Sequence, residues 1–161
     1  MDRRAVLVGI GMGVGCIASV AAQTRTAQQV TEQFAATLTA HDVEAFAALF
    51  DESYVNHQLS AAAPAPPPGT IPKQNTVGVF AARLKGIPDL AVAIEALVAT
   101  EDRCAASFVY TGTHQGLLLG VPATGKQLRF TSCDIFRVAG GKLVEHWGMG
   151  DIAGVLAQIK G

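Results

Sequence analysis

The sequence predicts an α+β domain in which helices come first, an antiparallel run of strands follows, and one short helix closes the chain. Three observations predict it. Apolar residues recur at three- and four-residue steps as far as Leu84, they alternate with a period of two from Arg103 onward, and a tight glycine turn interrupts the alternating part. Side chains three and four apart share one face of a helix, whereas neighbours in a strand point to opposite faces. Separation of the two periods along the chain implies a sheet packed on helices, not alternating βαβ units.

From Thr26 to Leu38, the residues Ala27, Val30, Phe34, Ala35 and Leu38 mark the buried face of a first helix. His41-Asp42 begins a second, with Asp42 as its N-cap and Val43, Phe46, Ala47, Leu49 and Phe50 turned inward; His41 reads as a solvated residue. Tyr54-Val55-Asn56-His57 is a short strand in which Tyr54 and Asn56 project one way and His57 the other. Between Ser60 and Pro72, Pro64, Pro66, Pro67, Pro68 and Pro72 fall among alanines, which removes backbone donors and gives a loop of polyproline character placed as a lid or rim. Asn75 to Leu84 is a third helix with Val77, Phe80, Ala81 and Leu84 inside, ended by Gly86-Ile87-Pro88-Asp89.

Leu90 to Thr100 is a strand of nearly continuous apolar character, Glu101-Asp102 a turn, and Arg103 to Thr113 the next strand, with Cys104, Ala106, Phe108, Tyr110, Gly112 and His114 in phase on the inner side. In the strand from Leu128 to Val138, the face made by Leu128, Phe130, Ser132, Asp134, Phe136 and Val138 is apolar except for Ser132 and Asp134. Arg129, Thr131, Cys133, Ile135 and Arg137 make the more polar, outer face. Gly140-Gly141 turns the chain into Lys142 to Met149, and Asp151 caps a final helix with Ile152, Val155, Leu156 and Ile159 facing in. Cys104 points inward and Cys133 outward, so the two are expected as free thiols rather than a disulfide.

A chain of 161 residues has room for one domain, and a formal charge of −1 offers no basic face for nucleic acid. Met-Asp-Arg-Arg followed by the uncharged run Ala5 to Ala22, which ends in Ser19-Val20-Ala21-Ala22, has the layout of an export signal. Residues 1–22 are therefore expected to be removed and residues 23–161 to form the domain, periplasmic or secreted. The run is at or below the roughly 17–25 residues a spanning helix needs, so no stable membrane association is expected after its removal. Arg3-Arg4 resembles a twin-arginine signal, which would carry the chain out folded.

Asp134 stands in a mainly hydrophobic row, where a carboxylate costs free energy unless it is paired or opens onto a cavity. Parity alone leaves open which face of Lys142 to Met149 is buried, since Leu143 and Trp147 make one face as apolar as the other. No close His, Cys, Asp or Glu ligand spacing is present, and neither a metal nor another cofactor is expected.

Gly86-Ile87-Pro88-Asp89-Leu90, Gly112-Thr113-His114-Gln115-Gly116, Gly120-Val121-Pro122-Ala123-Thr124-Gly125-Lys126, and Phe136-Arg137 running on to Gly141-Lys142-Leu143-Val144-Glu145-His146-Trp147 occur in that order. With them the chain from about Thr26 to Gly161 resembles the SnoaL-like polyketide cyclase family of the nuclear-transport-factor-2-like superfamily. The resemblance implies a cone of strongly curved antiparallel sheet packed on three N-terminal helices, a deep pocket in its open end, and homodimers formed through the sheets, here with Glu145 and Trp147 on the outer face. It further implies acid–base chemistry on a hydrophobic carbonyl compound.

In the family's cyclases a pocket aspartate moves the proton, two residues after the histidine matching His146; here that position is Gly148. The related limonene epoxide hydrolases keep a working aspartate there too, and an Arg-x-Asp where this chain has Gly112-Thr113-His114. The matches that remain are Tyr54 and Asn56 as polar pocket residues, His114 as a pocket histidine, and Asp134 where the cyclases have a histidine. If Asp134 and Gly148 face inward, His146 and Val144 follow by parity, and Asp134 with His146 forms a carboxylate–imidazole dyad. The catalytic candidates are thus Asp134, His146 and His114, and the substrate contacts Tyr54, Asn56, Phe108, Tyr110, Phe130 and Phe136. Two functions follow: an exported enzyme of the cyclase, isomerase or lyase type working without cofactor, or a non-catalytic protein that binds a small hydrophobic molecule in the same cone. Gly148 and the leader favour the second, the polar lining the first.

Overall fold

The computed structural model describes residues 24–58 and 66–161. The export signal expected over residues 1–22 and the first part of the proline-rich segment, to residue 65, lie outside them. In chain order the elements are α1 (Ala27–Thr39), α2 (Val43–Ala48), β1 (Phe50–Asn56), α3 (Pro72–Gly86), β2 (Ala91–Ala99), β3 (Arg103–Thr113), β4 (Gln127–Ala139), β5 (Lys142–Gly150) and α4 (Ile152–Lys160). The strands form one sheet in the order β1-β5-β4-β3-β2. It is antiparallel throughout except that β1 runs parallel to β5.

Local chemistry sets the helix starts. Thr26 caps α1 through a reciprocal box in which its hydroxyl accepts from the Gln29 N–H while the Gln29 side chain accepts from the Thr26 N–H. Asp42 caps α2, as its position predicts, by accepting from the Ala45 N–H at 2.8 Å. His41 is exposed, yet its ring is not merely solvated: with φ at 58° it places Nε2 3.0 Å from the Leu90 carbonyl, tying the α1–α2 corner to the approach of β2. Helix α3 begins at Pro72, earlier than the expected Asn75. Proline at the first turn has no N–H to leave unpaired, and its fixed φ suits a helix start, so Pro72 belongs to the helix rather than the loop.

Strand parity holds where the ladder is regular. Cys104, Ala106, Phe108, Tyr110 and His114 are buried on one side of β3 and its end, as are Leu128, Phe130, Asp134, Phe136 and Val138 on β4. Both cysteines are free, Cys104 buried and Cys133 exposed. Helices α1 and α2 supply the other half of the core. The Phe34 ring lies 5.1 Å from those of Phe46 and Phe136 and 5.4 Å from those of Phe80 and Phe108.

Parity fails at two irregularities. Strand β2 is not a buried strand despite its apolar sequence: it is the sheet edge, and its outward row includes Val98 at 73% exposure. In β5, Val138 pairs with Leu143 and Arg137 with Glu145, which leaves Val144 as an extra, bulged residue. Leu143 and His146 are therefore both buried, whereas Val144, expected inside with His146, is only half-buried. The Gly140-Gly141 turn ahead of the bulge has φ of 57° and 73°, the left-handed pair that a two-residue hairpin requires. Asp151 caps α4, which turns Val155 and Ile159 into the core. No helix among the described residues is long and apolar enough to cross a membrane.

Candidate functional site

The two residues that the bulge and the β4 parity bring inside meet each other. Asp134 faces Gly148 across the β4–β5 ladder, with His146 facing Phe136 one step further along. His146 Nε2 stands 2.7 Å from Asp134 Oδ1, and the two side chains are 3% and 6% exposed. On its other side His146 Nδ1 lies 3.1 Å from the Tyr54 hydroxyl of β1, and Ser132 Oγ donates to Asp134 Oδ2 at 2.5 Å. A carboxylate can only accept, so Nε2 carries the proton toward Asp134, and the Nδ1 of a neutral ring accepts from the Tyr54 O–H.

Gly148 makes this contact possible. A Cβ at position 148 would overlap Asp134 Oδ1 and come within 2.6 Å of His146 Nε2. The space is occupied by the pair itself.

The pair continues into a line of polar groups across the inner face. Ser132 Oγ is 3.4 Å from the Tyr110 hydroxyl on β3, and Tyr110 lies beside the Arg83 guanidinium of α3. At the opposite end the Thr76 hydroxyl, also on α3, accepts from Asn56 Nδ2 at 3.2 Å and neighbours Tyr54. Burial raises the Tyr54 phenol well above its ordinary value, with a small further push from the charge of Asp134. Burial likewise pushes Tyr110 up to about 12, against the pull of Arg83. Both therefore remain neutral hydroxyls able to donate.

The structure thus assembles Asp134, His146, Tyr54 and, through Thr76, Asn56. It does not bring His114 into this network. His114 is fully buried beyond the end of β3, its Nδ1 is 2.9 Å from Thr124 Oγ1, and its Nε2 has no hydrogen-bond partner among the described residues. Phe108 and Phe136 pack around Phe34 in the core, while Tyr110 and Phe130 stack on each other with centroids 4.9 Å apart beside Arg83. His57 lies on the outer face as parity predicts, stacked 4.5 Å from Trp147 and 2.9 Å from Glu145 Oε2. A surface depression of about 510 Å³ reaches Ser132 from the α4 side, with Ser107, Thr131, Cys133, Met149 and Gly150 among its walls; neither member of the Asp134–His146 pair lines it. Among the described residues no cluster of three or more His, Cys, Asp or Glu side chains is arranged to hold a metal ion. Arg83 is the residue the sequence reading missed.

A family model described as SnoaL-like polyketide cyclase matches residues 28–159, nearly all of the described chain. The chain belongs to the SnoaL-like polyketide cyclase family. Solved structures agree. IdmH from Streptomyces antibioticus is 29% identical with a TM-score of 0.72, the match covering 85% of this chain and 100% of that one. AclR from Streptomyces galilaeus, at 24% identity and a TM-score of 0.69 over 83% of this chain and 80% of that one, shares the fold. So does a SnoaL-like polyketide cyclase from Agrobacterium tumefaciens, at 16% identity and 0.63 over 84% and 98%. Comparison with curated proteins finds no match. Within the SnoaL-like family, this chain places a histidine–aspartate contact where a side chain at position 148 would have to stand.

Proposed function

We propose that this SnoaL-like protein is a cofactor-independent acid–base enzyme acting on a hydrophobic carbonyl compound. One observation carries the reading: an imidazole held by a buried carboxylate on one nitrogen and joined to a neutral tyrosine hydroxyl on the other. That is the arrangement of a general base whose tautomer is fixed from behind. A proton α to the substrate carbonyl passes to the Tyr54 oxygen as Tyr54 gives its own proton to His146 Nδ1. The C–H electron pair becomes the C=C bond of an enolate, and the carbonyl π pair moves onto oxygen. Asp134 balances the imidazolium that forms. Attack of the enolate carbon on a second carbonyl of the same molecule then closes a ring, and the proton returns along the same path to the new alkoxide. Gly148 replaces the aspartate that the family resemblance leads one to expect, and in this reading the relay takes over its task.

A second reading is favoured by the near-complete burial of Asp134 and His146: the pair only stiffens the wall of a cone that binds a small hydrophobic molecule. Turnover assays on model 1,5-diketones, whose internal aldol step closes a six-membered ring, decide between them. The enzyme reading expects Tyr54→Phe, Asp134→Asn and His146→Gln each to lower turnover about 10²- to 10⁴-fold, the usual worth of a positioned general base. Full turnover in all three overturns it. The composition of the leader supports export of the domain, and exposed Ile135, Cys133 and Met149 on the outer sheet face support a pairing of two copies there. A shift of elution volume on Met149→Glu tests the pairing.

A further inference from the structure

Arg83 sits in the last turn of α3, where a cation favours the helix terminus from solvent as readily as from inside. Lys85, exposed in the same turn, does so. Arg83 instead turns inward and is half-buried. Its guanidinium carbon is 4.6 Å from the Phe80 ring centroid, 5.3 Å from Tyr110 and 5.7 Å from Phe130. Three aromatic rings supply cation–π attraction but no carboxylate. Among the described residues no acid lies within ion-pair distance of Arg83. The Tyr110 hydroxyl is the polar group beside it, and Asp134, whose charge also reaches it, is already committed to His146 and Ser132. Desolvation accordingly pulls the guanidinium below its usual value.

A second incomplete group lies at the same end. Gln115 and Gly116, which follow His114, donate their N–H groups to the Gly86 carbonyl one turn beyond Arg83, and His114 holds a buried Nε2 with no partner among the described residues. A partly desolvated cation costs free energy that an acceptor oxygen would offset. The planar fork of N–H donors on a guanidinium fits the two oxygens of a carboxylate.

We propose that Arg83 binds a carboxylate of the ligand, so that the molecule this protein takes is a hydrophobic keto acid with its acid group at the Arg83 end of the polar line and its carbonyl toward Tyr54. The placement of the carbonyl rests on the acid–base reading above; the carboxylate site does not. Phe80, Tyr110 and Phe130 would then flank the aliphatic or aryl body next to the acid group.

The test uses 5-oxo-5-phenylpentanoic acid and its methyl ester as probes, with binding to the full domain read by calorimetry at neutral pH. The acid is expected to bind at least tenfold more tightly than the ester. Arg83→Gln is expected to erase that preference and Arg83→Lys to keep part of it, with thermal unfolding confirming that both variants fold. Tyr54→Phe and Asp134→Asn are expected to retain it, so a failed relay and a failed carboxylate site give different results. Equal binding of acid and ester by the wild-type protein, binding of neither, or an acid preference that survives in Arg83→Gln overturns the proposal.

Discussion

Strand β5 carries two histidine–carboxylate pairs on its two sides. On the inner side His146 meets Asp134 at 2.7 Å; on the outer side, one residue earlier, Glu145 meets His57 at 2.9 Å. The distances are nearly the same and the surroundings are not. The inner side chains are 3% and 6% exposed, the outer 37% and 23%. Water screens the outer pair, and the Arg137 guanidinium shares Glu145 with His57. The inner pair is enclosed by Phe136, Tyr54 and the strand opposite, where an unpaired partner has nothing to turn to. Hydrogen-bond geometry alone does not decide what a pair is worth; the dielectric around it does.

The sharpest way to break this contrast is to remove one histidine from each side. His146→Ala leaves the Asp134 carboxyl buried with Ser132 alone, and the expected cost is about 3–5 kcal/mol in urea unfolding. His57→Ala is expected to cost less than about 1 kcal/mol. Equal losses would mean that the inner pair is better solvated than its burial implies.

A glycine comparison sharpens the same point at smaller amplitude. Gly148→Ala drives a methyl group into Asp134 and His146 and is expected to cost about 1–3 kcal/mol while abolishing any turnover that depends on their contact. Gly78 on α3 has open space around it, so Gly78→Ala is expected to stabilise by about 1 kcal/mol through helix propensity. The opposite signs are the test.

The smallest effect is the acid limb of stability, which belongs to the surface. Hydrogen bonds from His57 and Arg137 hold the Glu145 carboxyl below its usual range, and donors from Thr113 do the same for Asp89. A carboxyl whose folded value is depressed contributes stability that is complete above its unfolded value of about 4 and is lost as pH falls through the folded value. The melting temperature should therefore decline below about pH 4, less steeply in Glu145→Gln and less again when Asp89→Asn is added.

Much of this architecture is legible in the sequence because it depends on local periodicity. The inner rows of β3 and β4, the Asp42 and Asp151 caps and the Gly140-Gly141 turn all follow from neighbours a few residues apart. What escapes is set by distant partners. The bulge at Val144 is a matter of register between two strands, and no alternation within Lys142 to Met149 reveals it. Arg83 looks like one more polar residue on a helix, since the rings that draw it inward come from β3 and β4 as well as from its own helix. Gly148 reads as a missing acid in the sequence, whereas in the fold Asp134 and His146 fill its place. The Thr26–Gln29 box was visible in the sequence, as a threonine and a glutamine three apart, and marks the start of α1 more sharply than the apolar spacing does.

Helix α3 grips the polar line at both ends, with Thr76 near Tyr54 and Arg83 near Tyr110, roughly two helical turns apart. A rigid rod fastened at two points cannot release one without straining the other. Whatever lifts this helix off the sheet takes Thr76 and Arg83 away together, while Asp134 and His146, carried by neighbouring strands, keep hold of each other.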